Sequence, residues 1–224
     1  MNIYAMEPFI LSHPLVRPLY GFLKECIASP LEKTVLDCGA GGDNPPLALF
    51  IAHGFTGYGI DISSEQIALT QGFSRTHNIY LPVMKSNACH IPFKDESVSF
   101  VYSINTFCHL SKDHVARTVT EIDRVIRHNG IVFINFASVD DFLYGEGAEI
   151  GKGEFIQELD WYPGILKEGH VCSYYKDDEP DSYFCNYDII RKEKRIIELK
   201  REYPHEEGWE WQIADICYTA KKLP

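Results

Sequence analysis

From residue 34 to residue 136 the chain alternates short strand-like and helix-like runs, and no other feature restricts its fold as much. Strands joined by helical crossovers lie parallel and need cover on both faces, so the pattern predicts βαβ units on a parallel sheet. Thr34–Cys38 (TVLDC) is a short apolar run ending at glycines and reads as a buried strand. Pro45 and Pro46 suit the first turn of a helix over Leu47–Ala52, capped by Asp43 or Asn44 and stopped at His53-Gly54. Thr56–Ile60 is a second strand, and Ser63 or Ser64 with Glu65 opens a helix that faces the sheet through Ile67, Leu69 and Phe73. Tyr80–Lys85, Ser97–Ser103 and Ile131–Phe136 read as further strands. Between the last two, Lys112–Arg127 has helical spacing at Val115, Val119, Ile122, Val125 and Ile126, stopped by Asn129-Gly130. Near the end, Arg195–Tyr203 and Trp211–Lys221 predict an antiparallel hairpin at one sheet edge, with a helix over Tyr187–Leu199 as the alternative.

The residues between strand one and its helix, Asp37-Cys38-Gly39-Ala40-Gly41-Gly42, carry the strongest chemical signal. Gly39 and Gly41 let the backbone turn sharply and approach a ligand, where a Cβ would obstruct. Asp37 sits two residues before the first glycine, so an anionic pyrophosphate would be poorly served and a cationic ammonium or sulfonium well served. The position that would complete G-x-G-x-x-G is Asn44, which argues against a dinucleotide. An ordinary glycine turn is the plainer reading of the loop alone. Asp61 ends strand two, placed to accept both ribose hydroxyls; the plainer reading is an acid stabilised at a helix N-terminus.

VLDCGAGG, YGIDIS, NACHIPFKDESVSFVYS and EIDRVIRHNGIVFINFAS resemble, in order and spacing, successive motifs of the class I S-adenosylmethionine-dependent methyltransferases, of the small-molecule and ubiquinone/menaquinone-biosynthesis type. The resemblance covers about residues 33–136. It implies a Rossmann-like doubly wound α/β sheet, mostly parallel with an antiparallel C-terminal hairpin, plus an inserted lid. It also implies S-adenosyl-L-methionine as cofactor, with Asp37, Gly39, Ala40 and Gly41 at the methionine moiety and Asp61 on the ribose. Ile62 would pack on the adenine, Asn87 and Ala88 would lie at its edge, and Ser103 would end strand four beside the cofactor. Two positions depart from the family pattern: Asn87 stands where an Asp is usual, and Ser99 replaces the acid of the Ser-Phe-Asp triplet. An amide still offers a donor and an acceptor to the adenine edge.

The sulfonium carries the reactive methyl, so the protein's task is to align the acceptor, exclude water and in some cases remove a proton. His109, beside Cys108 after strand four, is the candidate base, against a helix-capping or core role. Arg17, in the run His13–Tyr20, has two readings: a contact to the methionine carboxylate or a solvent-facing helix residue. His170 reads equally as a surface or a functional residue.

The expected organisation is one methyltransferase domain. It has an N-terminal helical segment at 1–32, a cofactor-binding core at 33–136, an insertion at 137–183 for acceptor recognition, and C-terminal edge strands at 184–224. Net charge is −11, and no basic patch for a phosphate backbone is visible, so no nucleic-acid partner is expected. The insertion carries −9 of that charge and eight aromatics, Phe142, Tyr144, Phe155, Trp161, Tyr162, Tyr174, Tyr175 and Tyr183. Such a mixture suits a solvated appendage with its own small core, or a pocket for a protonated amine. Seven scattered cysteines without a CxxC pair, and no secretory signal or apolar run of membrane length, predict a reduced cytoplasmic protein with neither structural zinc nor membrane partner. The expected partner is a small-molecule acceptor. The rivals are a nicotinamide-dependent oxidoreductase, a methyltransferase acting on a macromolecule, and a non-catalytic S-adenosylmethionine-binding module.

Overall fold

A computed structural model describes residues 17–158, 169–203 and 206–224, with side chains for 17–158, 169–198 and 211–224. The His13–Val16 part of the N-terminal run, and Trp161 and Tyr162 of the insertion, lie outside the described residues.

Helix α1 (Pro18–Ala28) leads into β1 (Thr34–Cys38), α2 (Leu47–Ala52), β2 (Thr56–Asp61), α3 (Ser64–His77) and β3 (Val83–Lys85). Then follow β4 (Val98–Ser103), a 3₁₀ turn (Phe107–His109), α4 (Lys112–Val125) and β5 (Ile126–Ser138). The parallel core runs β3-β2-β1-β4-β5, so strand order reverses between β1 and β4. In such sheets ligands bind outside the carboxyl ends of the strands at that reversal. The loop after β1 stands there.

Both faces of the sheet are covered, as a parallel sheet requires. On one face Leu19, Phe22, Leu23 and Cys26 of α1 and Leu47, Leu49 and Phe50 of α2 pack with Val35, Tyr102 and Phe133. On the other, Val115, Val119, Ile122 and Val125 of α4 pack with Leu36, Val101 and Val132.

Several local expectations shift. Helix α2 starts at Leu47 with Pro46 at the cap and no side-chain cap bond, so neither Asp43 nor Asn44 caps it. Ser63 caps α3, its hydroxyl accepting from Gln66 N–H. Ile67 and Phe73 of α3 are buried, but Leu69 is 46% exposed and Thr70 is buried instead, because Leu69 lies two positions past Ile67 on a 3.6-residue turn. β3 is only Val83–Lys85. Helix α4 ends at Val125, and Asn129-Gly130 lies within β5, where a register shift separates the pairs Val98–Ile126 and Phe100–Ile131. That bulge suits Asn129 at φ 63 and Gly130, whose Cβ would sit 2.7 Å from the Ser99 carbonyl.

Beyond β5 come β6 (Ala148–Gly151), β7 (Glu154–Gln157), β8 (His170–Tyr175), a second 3₁₀ turn (Glu179–Phe184), β9 (Tyr187–Tyr203) and β10 (Glu206–Lys222). β6, β7 and β8 form an antiparallel set, and β8 joins the end of β5 in parallel through Ala137–Tyr174 and Ser138–Tyr175. β10 lies antiparallel between β5 and β9, which places the hairpin at the sheet edge and makes Tyr187–Tyr203 strand rather than helix. β10 meets β5 only from Asp215 to Lys221, so its upstream half pairs with β9 alone.

Candidate cofactor and acceptor site

The glycine loop is held by its neighbours rather than by its own side chains. Gly39 and Ala40 N–H groups donate to the Ile60 carbonyl at 2.9 and 3.0 Å, and Gly42 N–H donates to the Gln66 carbonyl at 3.0 Å. The buried Thr70 hydroxyl donates toward the Ala40 and Gly42 carbonyls at 3.1 and 3.0 Å. Gly39 has φ 95, and a Cβ there would lie 1.9 Å from Thr106 Oγ1. A Cβ on Gly41 would lie 2.4 Å from Gln66 Cβ and 2.6 Å from Asp61 Oδ2. The loop is therefore a cradle that only glycine fits at both positions. Ala40 is buried, its methyl directed at Gly59, so any part it plays is through its backbone.

Asp37 alternates with Val35 onto the α1 face of the sheet and is buried at the strand end. Its Oδ2 accepts from the Tyr102 hydroxyl at 2.6 Å, while Oδ1 is buried with no hydrogen-bond partner. Burial pushes the carboxyl up to about 8, with the Tyr102 bond pulling the other way and the Asp61 charge adding to the rise. A buried carboxylate with a spare oxygen is poised for a cation and hostile to a phosphate.

Asp61 has both oxygens engaged: Gly41 N–H donates to Oδ2 at 2.9 Å and Ser63 N–H to Oδ1 at 2.8 Å. Each carboxylate oxygen accepts a second bond, so the pair retains capacity for two hydroxyls. Through Ser63 the acid braces the N-terminus of α3, as the plainer sequence reading has it. Ile62 follows, 65% exposed, an apolar face of the kind a purine ring covers. Asn87 is exposed, and its Oδ1 accepts from Cys89 N–H at 2.9 Å, which leaves the NH₂ group free to donate elsewhere. Ala88 is half-buried beside the α4 core. Ser103 is buried and its hydroxyl donates to the Cys38 carbonyl at 2.7 Å, so it clamps β4 to β1 below the loop. Ser99 exchanges hydrogen bonds with Thr34 at the opposite end of the strands, far from where an acid could touch a cofactor.

His109 ends the 3₁₀ turn after β4, half-buried, with Nδ1 buried and lacking a partner. The preceding Cys108 is a poor rival as base or nucleophile, because burial, with Asp141 and Asp215 nearby, pushes its thiol up to about 12. Asn105 (φ 55) starts the turn, its N–H donating to Asn135 Oδ1 at 2.7 Å. Asn135 Nδ2 in turn donates to Asn105 Oδ1 and to Asp215, which pairs with Arg195. Sequence reading missed this brace, Tyr102 and Thr106. Only the register Asp37–Tyr102 shows which residue of β4 meets the acid.

Five acids of the insertion pair with three lysines from outside it. Asp177 and Asp140 hold Lys194, Asp178 and Asp181 hold Lys192 at 2.8 Å each, and Glu179 holds Lys112 at 2.5 Å. Among the insertion's described aromatics, Phe155 and Tyr174 form a small cluster with Cys172, Tyr175 joins the main core, and Phe142 stacks on Trp211 at 5.1 Å. Changing Asp177, Asp178 and Glu179 together to their amides should therefore cost about 1–3 kcal/mol of stability, read by denaturant unfolding. An unchanged stability would mean that these pairs contribute nothing.

A family model described as Methyltransferase domain matches residues 36–134. Over those residues the chain is similar to a methyltransferase domain. Among solved structures, a SAM-dependent methyltransferase from Methanosarcina mazei is 20% identical with TM-score 0.67, covering 88% of this chain and 96% of its own. The 1,6-didemethyltoxoflavin-N1-methyltransferase of Burkholderia thailandensis, with 1,6-didemethyltoxoflavin and S-adenosylhomocysteine bound, is 12% identical with TM-score 0.58, covering 100% and 82%. These likenesses concern the fold. The O-methyltransferase rstn1 of Aspergillus nomiae is 30% identical over 105 residues, 46% of each chain. This chain thus spans about half the length of that curated relative.

The donor set fits the family's cofactor, S-adenosylmethionine. Its ammonium would suit the spare oxygen of Asp37, and its ribose the carboxylate of Asp61. Asp61→Ala should weaken cofactor binding by roughly 1.5–3 kcal/mol, measured by calorimetry. Because Asp61 also receives the Gly41 and Ser63 N–H groups, the same change should lower stability by about 1–3 kcal/mol. Unaltered affinity in the folded variant would leave Asp61 only its bracing role.

Proposed function

We propose that the protein transfers a methyl group from S-adenosylmethionine to a small-molecule acceptor held over the carboxyl ends of β4 and β5. The observation that carries this reading is the buried Asp37 carboxylate with one unpartnered oxygen, at the mouth of a loop only glycine can form. The small-molecule acceptor bound in the Burkholderia neighbour is in keeping with it.

When bound, the cofactor supplies a methyl group on positively charged sulfur. The rest is positioning by this chain. Asp37 would hold the ammonium and Asp61 the ribose, Ile62 would cover one face of the adenine, and the Asn87 amide would meet its edge. The Ala88 backbone would lie beside that edge, and Ser103 would keep the loop in place through Cys38. The buried Nδ1 of His109 would be available for a proton leaving the acceptor. The acid cluster once attractive for an amine is occupied by lysines, so it no longer favours an amine over other small molecules.

Calorimetry with S-adenosylhomocysteine and with NAD tests the reading, followed by release of S-adenosylhomocysteine over an acceptor panel. Binding of S-adenosylhomocysteine and not of NAD is expected, with turnover on small acceptors. A folded protein that binds NAD and gives no heat with S-adenosylhomocysteine would overturn it.

A further inference from the structure

A groove of about 660 Å³ runs between α1 and β9, lined by Arg17 and Gly21 on one side and by Arg191, Glu193 and Arg195 on the other. In a chain of net charge −11, a groove with three guanidinium groups and one acid stands apart. Arg195 is committed to Asp215. Arg191 is not saturated: its Nε lies 3.6 Å from Glu193, beyond hydrogen-bond length. Arg17 has no side-chain hydrogen bond or ion pair among the described residues.

Gly21 supplies a second, independent observation. Glycine in the middle of a helix is unfavourable, yet here a Cβ would lie 2.2 Å from Arg191 Nη1. The bare Cα is the recess against which the Arg191 guanidinium lies. The groove also sits at a useful place. Arg195 pairs in register with Asp215, and Asp215 with Ala137, so its upper end lies level with the carboxyl end of β5. It is on the face where Phe22 of α1 packs against Tyr102, the donor to Asp37.

We propose that this groove is an acceptor subsite for an anionic group, a carboxylate or phosphate, received by Arg17 and Arg191. Planar guanidinium groups bind both anions through paired N–H bonds, and both remain charged at any working pH. The exposed Ile196 on the rim gives the apolar part of such a molecule a surface to lie on. This assignment rests on the methyltransferase reading and narrows it to acidic acceptors.

The test is calorimetry at constant ionic strength on protein saturated with S-adenosylhomocysteine, titrated with benzoate, inorganic phosphate and benzamide. Benzoate, phosphate or both should bind, and benzamide should not. Benzoate alone points to carboxylate acceptors and phosphate alone to phosphate-bearing ones. Arg191→Gln and Arg17→Gln should each weaken the anion at least tenfold and leave S-adenosylhomocysteine affinity within twofold. Gly21→Ala should push the flexible guanidinium out of its recess, weakening the anion at least fivefold while raising Tm by a few degrees. The proposal is overturned if neither anion binds, if benzamide binds as well, or if the three variants bind the anion like the parent. It is also overturned if Arg17→Gln weakens S-adenosylhomocysteine as strongly as the anion, since Arg17 then serves the cofactor's own carboxylate. Parent protein that binds no S-adenosylhomocysteine at all instead brings down the methyltransferase reading, and this one with it.

Discussion

Alanine at Gly39 is expected to reduce S-adenosylhomocysteine affinity at least about a hundredfold, a loss of roughly 3 kcal/mol or more. Two independent penalties act there. At φ 95 an L-residue is strained whatever its size, and the added methyl would lie 1.9 Å from Thr106 Oγ1 and 2.8 Å from Thr106 Cβ. Thr106 is short and sits next to Asn105, whose N–H and side chain are tied to Asn135, so it has little freedom to retreat. Either the loop leaves the cradle or the turn carrying His109 moves. Stability should fall by about 2–4 kcal/mol as well. Adding Thr106→Ala should restore part of the loss, because the hydroxyl and methyl are removed while the dihedral strain persists. Cofactor affinity in Gly39→Ala equal to the parent's would show that the loop does not carry the ligand.

Cofactor affinity should rise by tens of fold between pH 6 and pH 8, and Asp37→Asn should abolish most of that dependence. Burial raises Asp37 to about 8, so in the free protein at pH 7 the carboxyl is mostly protonated and cannot pair with an ammonium. Binding a cation requires the carboxylate, so each pH unit below 8 costs up to about tenfold in affinity. At pH 7 binding should release close to one proton, visible as a buffer-dependent heat. The sign for folding is the opposite. A carboxyl whose folded value lies above its unfolded value of 3.8 contributes no penalty below about pH 4, and the free protein loses stability as pH rises from there to about 8. Cofactor should offset that loss, so the Tm gain on adding S-adenosylhomocysteine should be larger at pH 8 than at pH 6. A gain independent of pH, with no proton released, would mean that Asp37 does not face the ligand.

Much of the core was legible because its signals are local. A five-residue apolar run ending in glycines can hardly be anything but a buried strand, and Ser63 marks a helix start by chemistry that acts within three residues. Leu69 was misplaced because two positions past Ile67 is about 200° around the helix, on the other face. Tyr187–Leu199 stayed ambiguous because its Arg, Lys, Glu and Leu residues favour helix in isolation, and pairing with β10 overrides that preference. Asp177, Asp178 and Asp181 looked free because their partners Lys192 and Lys194 lie 11 to 17 residues away, on β9.

The sequence by itself determined the order of strands and helices from β1 to β5, the glycine loop with its two acids, and so the kind of ligand the first half of the chain is built to hold. These follow from dihedral preference, periodicity and charge at fixed spacing, all properties of neighbouring residues. Tertiary structure alone decided that Asp37 is buried with a spare oxygen, that Thr106 closes over Gly39, and that Arg191 rests on Gly21. Each depends on which side chains from distant segments share a few ångströms of space. There, water is excluded and an unpaired charge or an added methyl changes the energy most.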